Sequence, residues 1–350
     1  MRKIINKTKN KNFLKKIFIK LCRKIGYEII DQTNLYIPTL EKSVDENLSE
    51  LGESVISIPL GKAKIVRKIR ALTIIIRSYT STHNQGSKMM LDQNKSRIFG
   101  QEKIEYTLRT INSIIISSHY ALSIFNSLKI NLIVTDDNSN DENLTKIKNV
   151  LNKANFDTSI INIQKDEFIN EIKQKDENGN LISPNMISNM RNIYKSLMIA
   201  KDNADDLVYF LEDDYINHKD SITEMLLSYE KFTSQLNKEI FLCPADYPYL
   251  YTNIQDTKIL IGHKRHWRIV NETLITFLTS RQMILKYWNE LKDMATIRHH
   301  PMEKKLHQIY EKEYCFSPIP SLAMHGTNIN SVYGIPPNIN WEKLWDENKV

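Results

Sequence analysis

The sequence predicts an α/β domain: a mostly parallel central sheet flanked by helices, preceded by an N-terminal amphipathic helix. Three observations carry this. Short apolar, largely β-branched runs of strand length recur at Leu72–Ile76, Ile130–Thr135 and Leu207–Leu211, as strands buried on both faces require. Segments of helical period lie between them. Two of the runs end in acids, at Asp136-Asp137 and at Glu212-Asp213-Asp214.

Taken in order, residues 11–25 place Phe13, Leu14, Ile17, Phe18, Leu21 and Ile25 on one helical face. Lys15, Lys16, Lys20, Arg23 and Lys24 lie on the other. Such a helix fits two readings, an anchor on an anionic membrane surface or a helix docked on the main domain with its basic face in solvent. Residues 31–60, punctuated by Pro38, Gly52 and Pro59, read as an irregular connector. The first strand, Leu72–Ile76, is followed by a helix within Glu102–Leu128, with Tyr106, Ile111, Ile114, Ile115 and Leu122 inward. The strand Ile130–Thr135, a helix over 141–154 and a strand near Thr158–Ile163 come next. A helix at Ser188–Asp202 then leads into the strand Leu207–Leu211 and a helix at Ser221–Gln235. Strands near Ile240–Leu242 and Thr273–Leu278 bracket a loop rich in aromatics and His. A helix near Met302–Tyr310 precedes Tyr314–Phe316 and a Pro-rich tail. The boundaries drawn are 1–30 for the basic helix, 31–64 for the connector, 65–335 for the main domain and 336–350 for the tail.

The chain has 350 residues, 41% hydrophobic and 25% charged, enough for a sizeable core and unlike a disordered chain. With 9 Gly and 10 Pro and no repeat, low-complexity, fibrous and solenoid classes are set aside. Cys22, Cys243 and Cys315 are odd in number and far apart, so neither a disulfide framework nor a zinc motif is expected. No run is long enough to span a bilayer and the Met1 region lacks a signal-peptide pattern, so a cytoplasmic location is expected, with peripheral membrane attachment left open. The net charge of +7 is uneven: ten basic residues lie between Arg2 and Lys24, with no acid before Glu28. A nucleic-acid role is not expected, because the aromatic and Gly pattern of RNA modules is missing.

Ligands of open α/β sheets bind beyond the carboxyl ends of the strands. Acids gathered there repel one another unless they are solvated, hydrogen-bonded or neutralised by a metal. Carboxylate oxygens suit Mg²⁺ or Mn²⁺, which can bridge them to a diphosphate. One acidic pair after a strand reads most simply as a helix N-cap; two clusters in this order favour a ligand site.

With these residues in view, the chain resembles family 2 glycosyltransferases across roughly residues 70–330. Leu72–Tyr79, a helix and then IVTDDNSND (Ile133–Asp141) are similar to the opening of that family, in which a strand ends in a DDxS-type motif. SNMRNIYKSLMIA (Ser188–Ala200) resembles its Arg-Asn helix, and YFLEDDY (Tyr209–Tyr215) stands at its DxD position in a Glu-Asp-Asp form. The resemblance implies a GT-A fold, Rossmann-like, and a metal-dependent, inverting hexosyltransferase. The implied donor is a nucleotide-diphosphate sugar, a UDP-sugar favoured, with Mn²⁺ or Mg²⁺, and the implied acceptor a glycan or lipid-linked precursor of the cell envelope. It assigns Asp136 and Asp137 to the donor's base and ribose, and Arg191 and Asn192 to the nucleotide side of the cleft. Arg77, on the first strand, is counted with the donor-binding set. Asp214 is the first choice of metal ligand, with Glu212 and Asp213 supporting the ribose and the metal's water shell. Asn138 replaces the Gly common in this motif, which Asn allows because it too adopts left-handed geometry.

Further on, CPADYPYLY (Cys243–Tyr251) and GHKRHWRIVNETLITF (Gly262–Phe277) offer Asp246, Trp267 and Arg268. Aromatic faces bind sugar C–H surfaces and Arg binds phosphate, so donor-sugar and acceptor recognition is placed here. A hairpin with Trp267 in the core is the alternative. The resemblance puts the general base in the region of Glu303, with Asp246 second; Glu303 also reads as an ordinary first-turn acid. His325 resembles the late His that completes the metal site in several GT-A enzymes, or is a surface-loop His. Two other classes stay open. A sugar-nucleotide nucleotidyltransferase would need a Gly-rich phosphate loop, and RSYTSTHNQGSK has only Gly86. A non-catalytic nucleotide-binding protein of the membrane surface would fit the basic helix.

Overall fold

A computed structural model describes residues 13–27, 55–58, 61–80, 97–252, 256–327 and 331–350. The chain divides into two compact units. One holds helix α1 (Phe13–Lys24); the other comprises residues 49–56 and 63–350. On α1, Ile17, Phe18, Leu21 and Ile25 are exposed, and among the described residues no helix is long and apolar enough to cross a membrane. The connector is less irregular than its composition suggests, since β1 (Val55–Ile58) and β2 (Gly61–Lys64) pair in a two-stranded sheet. Residues 31–54 of the connector lie outside the described residues.

The larger unit is built on a nine-stranded sheet. Its strands are β3 (Ala71–Ser78), β4 (Lys129–Asp136), β5 (Asp157–Asn162), β6 (Leu207–Glu212), β8 (Phe241–Leu242), β9 (Ile259–Ile261), β10 (His266–Ile269), β11 (Phe277–Ser280) and β12 (Cys315–Ile319), in the order β5-β4-β3-β6-β11-β8-β12-β10-β9. Only β10 and β11 run against the rest. The sheet is therefore mostly parallel, as its apolar runs require. β3 is buried along its whole length, with Ile74, Ile75 and Ile76 fully enclosed.

The strand order explains where the helices go. The crossover β3–α2–β4, with α2 at Lys103–Leu122, and the crossover β4–α3–β5, with α3 at Asp141–Leu151, step in one direction across the sheet. The crossover β5–α4–β6, with α4 at Pro184–Asn203, steps back past β3. Right-handed connections then put α4 on the face opposite α2 and α3. Accordingly α2 packs with α3 and with α5 (Ser221–Leu236), whereas α4 packs with α7 (Arg281–Lys286) and α8 (Trp288–Thr296). The short α6 (Tyr249–Thr252) and α9 (Lys304–Tyr310) complete the body. The order reverses between β3 and β6, which is the place where an open α/β sheet splits to form a ligand crevice.

Two elements depart from the sequence reading. β7 (Tyr215–Asn217) turns out of the main sheet and pairs with β13 (Ala323–His325). The tail carries α10 (Trp341–Glu347), capped by the Asn340 side chain on the Lys343 N–H at 2.9 Å. Leu344 and Trp345 are buried with Tyr106, Ile216 and Met324 in a second apolar cluster. The tail thus packs as part of the larger unit rather than trailing from it.

Candidate active site

The parallel register brings the acids together. Ser78 at the end of β3 stands opposite Asp136 of β4, and Arg77 stands opposite Glu212 of β6. Both acidic clusters therefore open on one sheet edge, on either side of β3.

On the β4 side, Asn138 takes a left-handed φ of 73°, the geometry a short polar side chain tolerates, and turns the chain so that Ser139 faces back. The Asp136 carboxylate accepts the Ser139 N–H at 2.9 Å and its hydroxyl at 2.5 Å. Burial holds the Asp136 pKa above its ordinary value. Asp137 accepts the Ser188 hydroxyl at 2.8 Å and Arg191 Nε at 3.1 Å; its pKa too is raised, by burial against these partners. Arg191 also donates to the Gln164 carbonyl at 3.2 Å and to that of Lys165. Asn192 accepts the Thr135 hydroxyl at 2.6 Å and donates to the Ser78 carbonyl at 3.0 Å. Arg191 and Asn192 thus clamp Asp137 and the ends of β3 and β4.

On the β6 side, Glu212 remains one-third exposed (33%) and its Oε1 lies 3.2 Å from Arg77 Nη2. Arg77 is buried and donates to the Ile275 carbonyl at 3.0 Å, while its Nε and Nη1 have no partner among the described residues. Asp213 accepts the Tyr79 N–H at 3.2 Å and the Thr107 hydroxyl at 3.1 Å, and pairs with Lys103 Nζ at 2.5 Å. Asp214 is positioned by backbone: the β7–β13 ladder sets His325 opposite Tyr215, and the Gly326 N–H donates to the Asp214 carbonyl at 2.8 Å. A Cβ on Gly326 would come within 2.9 Å of the Tyr106 ring, so the close approach needs glycine. His325 stacks on Tyr215, centroids 4.6 Å apart, and its Nε2 faces Asp214 Oδ2 at 3.6 Å. Its Nδ1 lies 2.8 Å from the Tyr333 carbonyl, which can only accept, so Nδ1 carries the proton. Burial opposes charge on His325, but Asp214 outweighs it and raises its pKa. Asp214 is likewise buried, yet Lys103 and His325 hold its pKa well below the ordinary value. Asp213 moves the other way, raised by burial and by the charge of Asp214.

Fixing the proton on Nδ1 is the usual way a protein prepares an imidazole Nε2 to bind a metal. Among the described residues no cluster of three or more His, Cys, Asp or Glu side chains surrounds one point. One carboxylate oxygen and one imidazole nitrogen still fit Mg²⁺ or Mn²⁺, which commonly take one or two protein ligands and fill the remaining positions with water and phosphate.

Glu303 precedes α9, is half-buried and makes no side-chain cap. Burial, with the charge of Glu212 adding to it, pushes its pKa up to about 7, while Arg298 and Arg77 pull it down. Glu212 and Arg77 both act on it, so it lies within electrostatic reach of the end of β6. Its loop is anchored by Glu177, which meets His299 Nδ1 at 3.0 Å, the His300 N–H at 2.9 Å and Lys304 Nζ at 2.8 Å. His300 Nε2 in turn meets Asp176 at 3.0 Å. These two histidines serve as scaffold.

The remaining sequence candidates are engaged with partners of their own. Asp246 is fully buried and engaged by Arg268 and by the Tyr251 hydroxyl at 2.5 Å, with Arg268 lying 4.7 Å over the Tyr251 ring. A carboxylate held on both oxygens is poorly placed to receive a proton. Trp267 is in the core against Phe232, its Nε1 donating to Glu224 Oε1 at 3.1 Å, so it offers no ring face to a sugar. The cause is Glu224, buried on α5, whose carboxylate also accepts the N–H groups of His263, Lys264 and Arg265 and anchors the β9–β10 turn. Lys103, Thr107, Tyr79 and Tyr333 were missed by sequence reasoning. Lys103 could have been noticed as a cation at the head of a helix that follows a strand end; the others carry no local signal.

No family profile matches the chain, and no curated protein sequence matches it. Solved structures give distant likenesses. The S. aureus TarS 1-349 crystal structure is 12% identical over 65% of this chain and 54% of that chain, with a TM-score of 0.33. The galactosyltransferase LgtC in complex with donor and acceptor sugar analogues is 13% identical over 67% and 70%, TM-score 0.35. A UDP-glucose pyrophosphorylase complexed with UDP-glucose is 8% identical over 80% and 97%, TM-score 0.37. The chain spans about half the length of the TarS fragment it matches. Similarity this distant carries no functional argument, and the function rests on the site.

Proposed function

We propose that this chain is a metal-dependent glycosyltransferase of the GT-A type. It would transfer a sugar, with inversion, from a nucleotide-diphosphate donor, a UDP-sugar favoured, to a hydroxyl of a glycan or lipid-linked acceptor. The observation that carries the reading is the convergence of Asp136, Asp137, Glu212, Asp213 and Asp214 on the one sheet edge where the strand order reverses. Acids from two strands with buried, fixed partners there suit a cation and a diphosphate better than two independent helix caps.

In this reading Asp136 and Asp137 face the base and ribose, held by Ser139 and by Arg191. Arg77, whose Nε and Nη1 are unpartnered, would meet the anionic side of the donor. Asp214 and His325 would hold Mn²⁺ or Mg²⁺, which stabilises negative charge on the departing diphosphate. Glu303 takes the proton of the acceptor hydroxyl as its oxygen attacks the anomeric carbon and the nucleoside diphosphate leaves from the opposite face. A base with a pKa near 7 is matched to that task at neutral pH. The basic, apolar-faced α1 supports an acceptor presented at an anionic membrane surface.

The test is a transfer and donor-hydrolysis assay across nucleotide sugars with Mn²⁺, on the wild type and on Asp214→Ala. Loss of both activities in a variant that keeps its far-UV spectrum supports the reading; full retained activity removes the metal from it. Release of pyrophosphate from a nucleoside triphosphate would instead indicate a nucleotidyltransferase.

A further inference from the structure

We propose that Lys103 is a built-in cation of the acidic site, balancing Asp213 and Asp214 when the cleft is empty and turning to the diphosphate when nucleotide binds. This rests on the donor reading above and adds a residue and a binding order to it.

Lys103 is the first residue of α2, and its Nζ lies 2.5 Å from Asp213 Oδ1. The Lys103 side chain is 21% exposed while that of Asp213 is 6% exposed, so the lysine is the more open member of the pair. Asp213 does not depend on the lysine for its hydrogen bonds, because its other oxygen accepts the Tyr79 N–H and the Thr107 hydroxyl. The ammonium can therefore leave with one Asp213 oxygen still held by two hydrogen bonds. The positive end of α2 adds to the field at the same point.

A cation paired with Asp213, the neighbour of Asp214, opposes a second, divalent one, since like charges close together in a partly buried site repel. Metal alone should bind weakly. A diphosphate changes the sign: it draws Lys103 away from Asp213 and supplies oxygens to both cations. Lys103 thus makes metal and nucleotide binding mutually dependent, and by linkage the coupling is the same whichever binds first.

Calorimetric titration of the full chain with Mn²⁺ alone, with inorganic pyrophosphate or UDP alone, and with each in the presence of the other reads this directly. For K103M the expected result is opposite in sign for the two ligands. Mn²⁺ alone binds about tenfold more tightly, pyrophosphate and UDP alone bind at least about tenfold more weakly, and the coupling factor shrinks. K103R keeps the charge and should hold all values within about threefold of wild type. Should K103M not fold, K103Q against K103R carries the same comparison. Metal affinity unchanged in the neutral variants, or equal weakening of every ligand, overturns the inference. A wild type that binds neither Mn²⁺ nor UDP overturns the donor reading itself.

Discussion

At Glu303, burial and a like charge act in the same direction, and the outcome is a carboxyl group that titrates near neutrality. Two measurable consequences follow with definite signs. As a base it must be ionised, so kcat/KM should fall as pH drops below about 7, and E303Q should lose at least about a hundredfold in kcat and lose that pH limb with it. For stability the sign is reversed from the common carboxylate case. The unfolded group ionises near its ordinary value of 4.5 while the folded group holds its proton to about 7. The fold is therefore penalised increasingly between those values and fully above the upper one. E303Q should melt above wild type at pH 8 and with it at pH 4, as differential scanning fluorimetry across pH would read. A helix-cap role predicts the opposite, a variant no more stable than wild type at any pH. At Asp214 the expectation concerns binding: D214N should cut Mn²⁺ affinity at least about tenfold, because Asp214 is one of only two protein donors proposed for the ion.

Among elements, the β7–β13 ladder matters most to the site, since it alone carries His325 to Asp214. That ladder rests on α10. Trp345 stacks on Phe99 at 4.1 Å and lies under Arg109 at 4.0 Å, in the same cluster as Ile216 of β7 and Met324 of β13. W345A should therefore cost about 3–5 kcal/mol of stability, as truncating a buried aromatic does, measured by urea unfolding. Because the cavity opens beneath the ladder, Mn²⁺ affinity should fall in W345A even at temperatures where the variant is folded. An α10 that merely covers the surface would leave metal binding untouched. Helix α1 is a separate case, with Ile17, Phe18, Leu21 and Ile25 exposed on one face and Lys20 and Lys24 exposed beside them. Its two sequence readings separate in a vesicle co-sedimentation assay. An anchor binds vesicles rich in phosphatidylserine, releases in high salt and is lost in F18E/L21E; a docked helix shows no lipid dependence.

Over the whole molecule, what could be read from sequence follows from what repeats. The parallel strands are buried on both faces, so β3, β4 and β6 stand out as continuous apolar runs, and the acids at their ends are legible because a run of that kind must stop at a sheet edge. The antiparallel half gave weaker signals. β9, β10 and β13 span only three or four residues, and the pairing of β13 with β7 joins segments more than a hundred residues apart. Trp267 showed the same limit: its aromatic neighbourhood suggested sugar binding, whereas its partner Glu224 lies on a helix 43 residues earlier. Lys103 showed in the sequence only as a cation at a helix head, because its meaning depends on Asp213 across the sheet edge. The strand order nevertheless makes a claim about the ligand that no single residue does. A crevice at the β3/β6 reversal, lined by acids on both flanks, should accept a base and ribose on the β4 side and phosphates on the β6 side. A nucleoside diphosphate must then bind better than its monophosphate, and more tightly still when the divalent ion is present. In a thermal-shift panel of UDP, GDP, CDP and CMP, each with and without Mn²⁺, one diphosphate should raise Tm by several degrees. Saturation at a hundred times Kd corresponds to about 2.7 kcal/mol of added stability. Equal shifts for CMP and the diphosphates, or shifts indifferent to Mn²⁺, would mean that the acids on the β6 side do not meet phosphate through a cation.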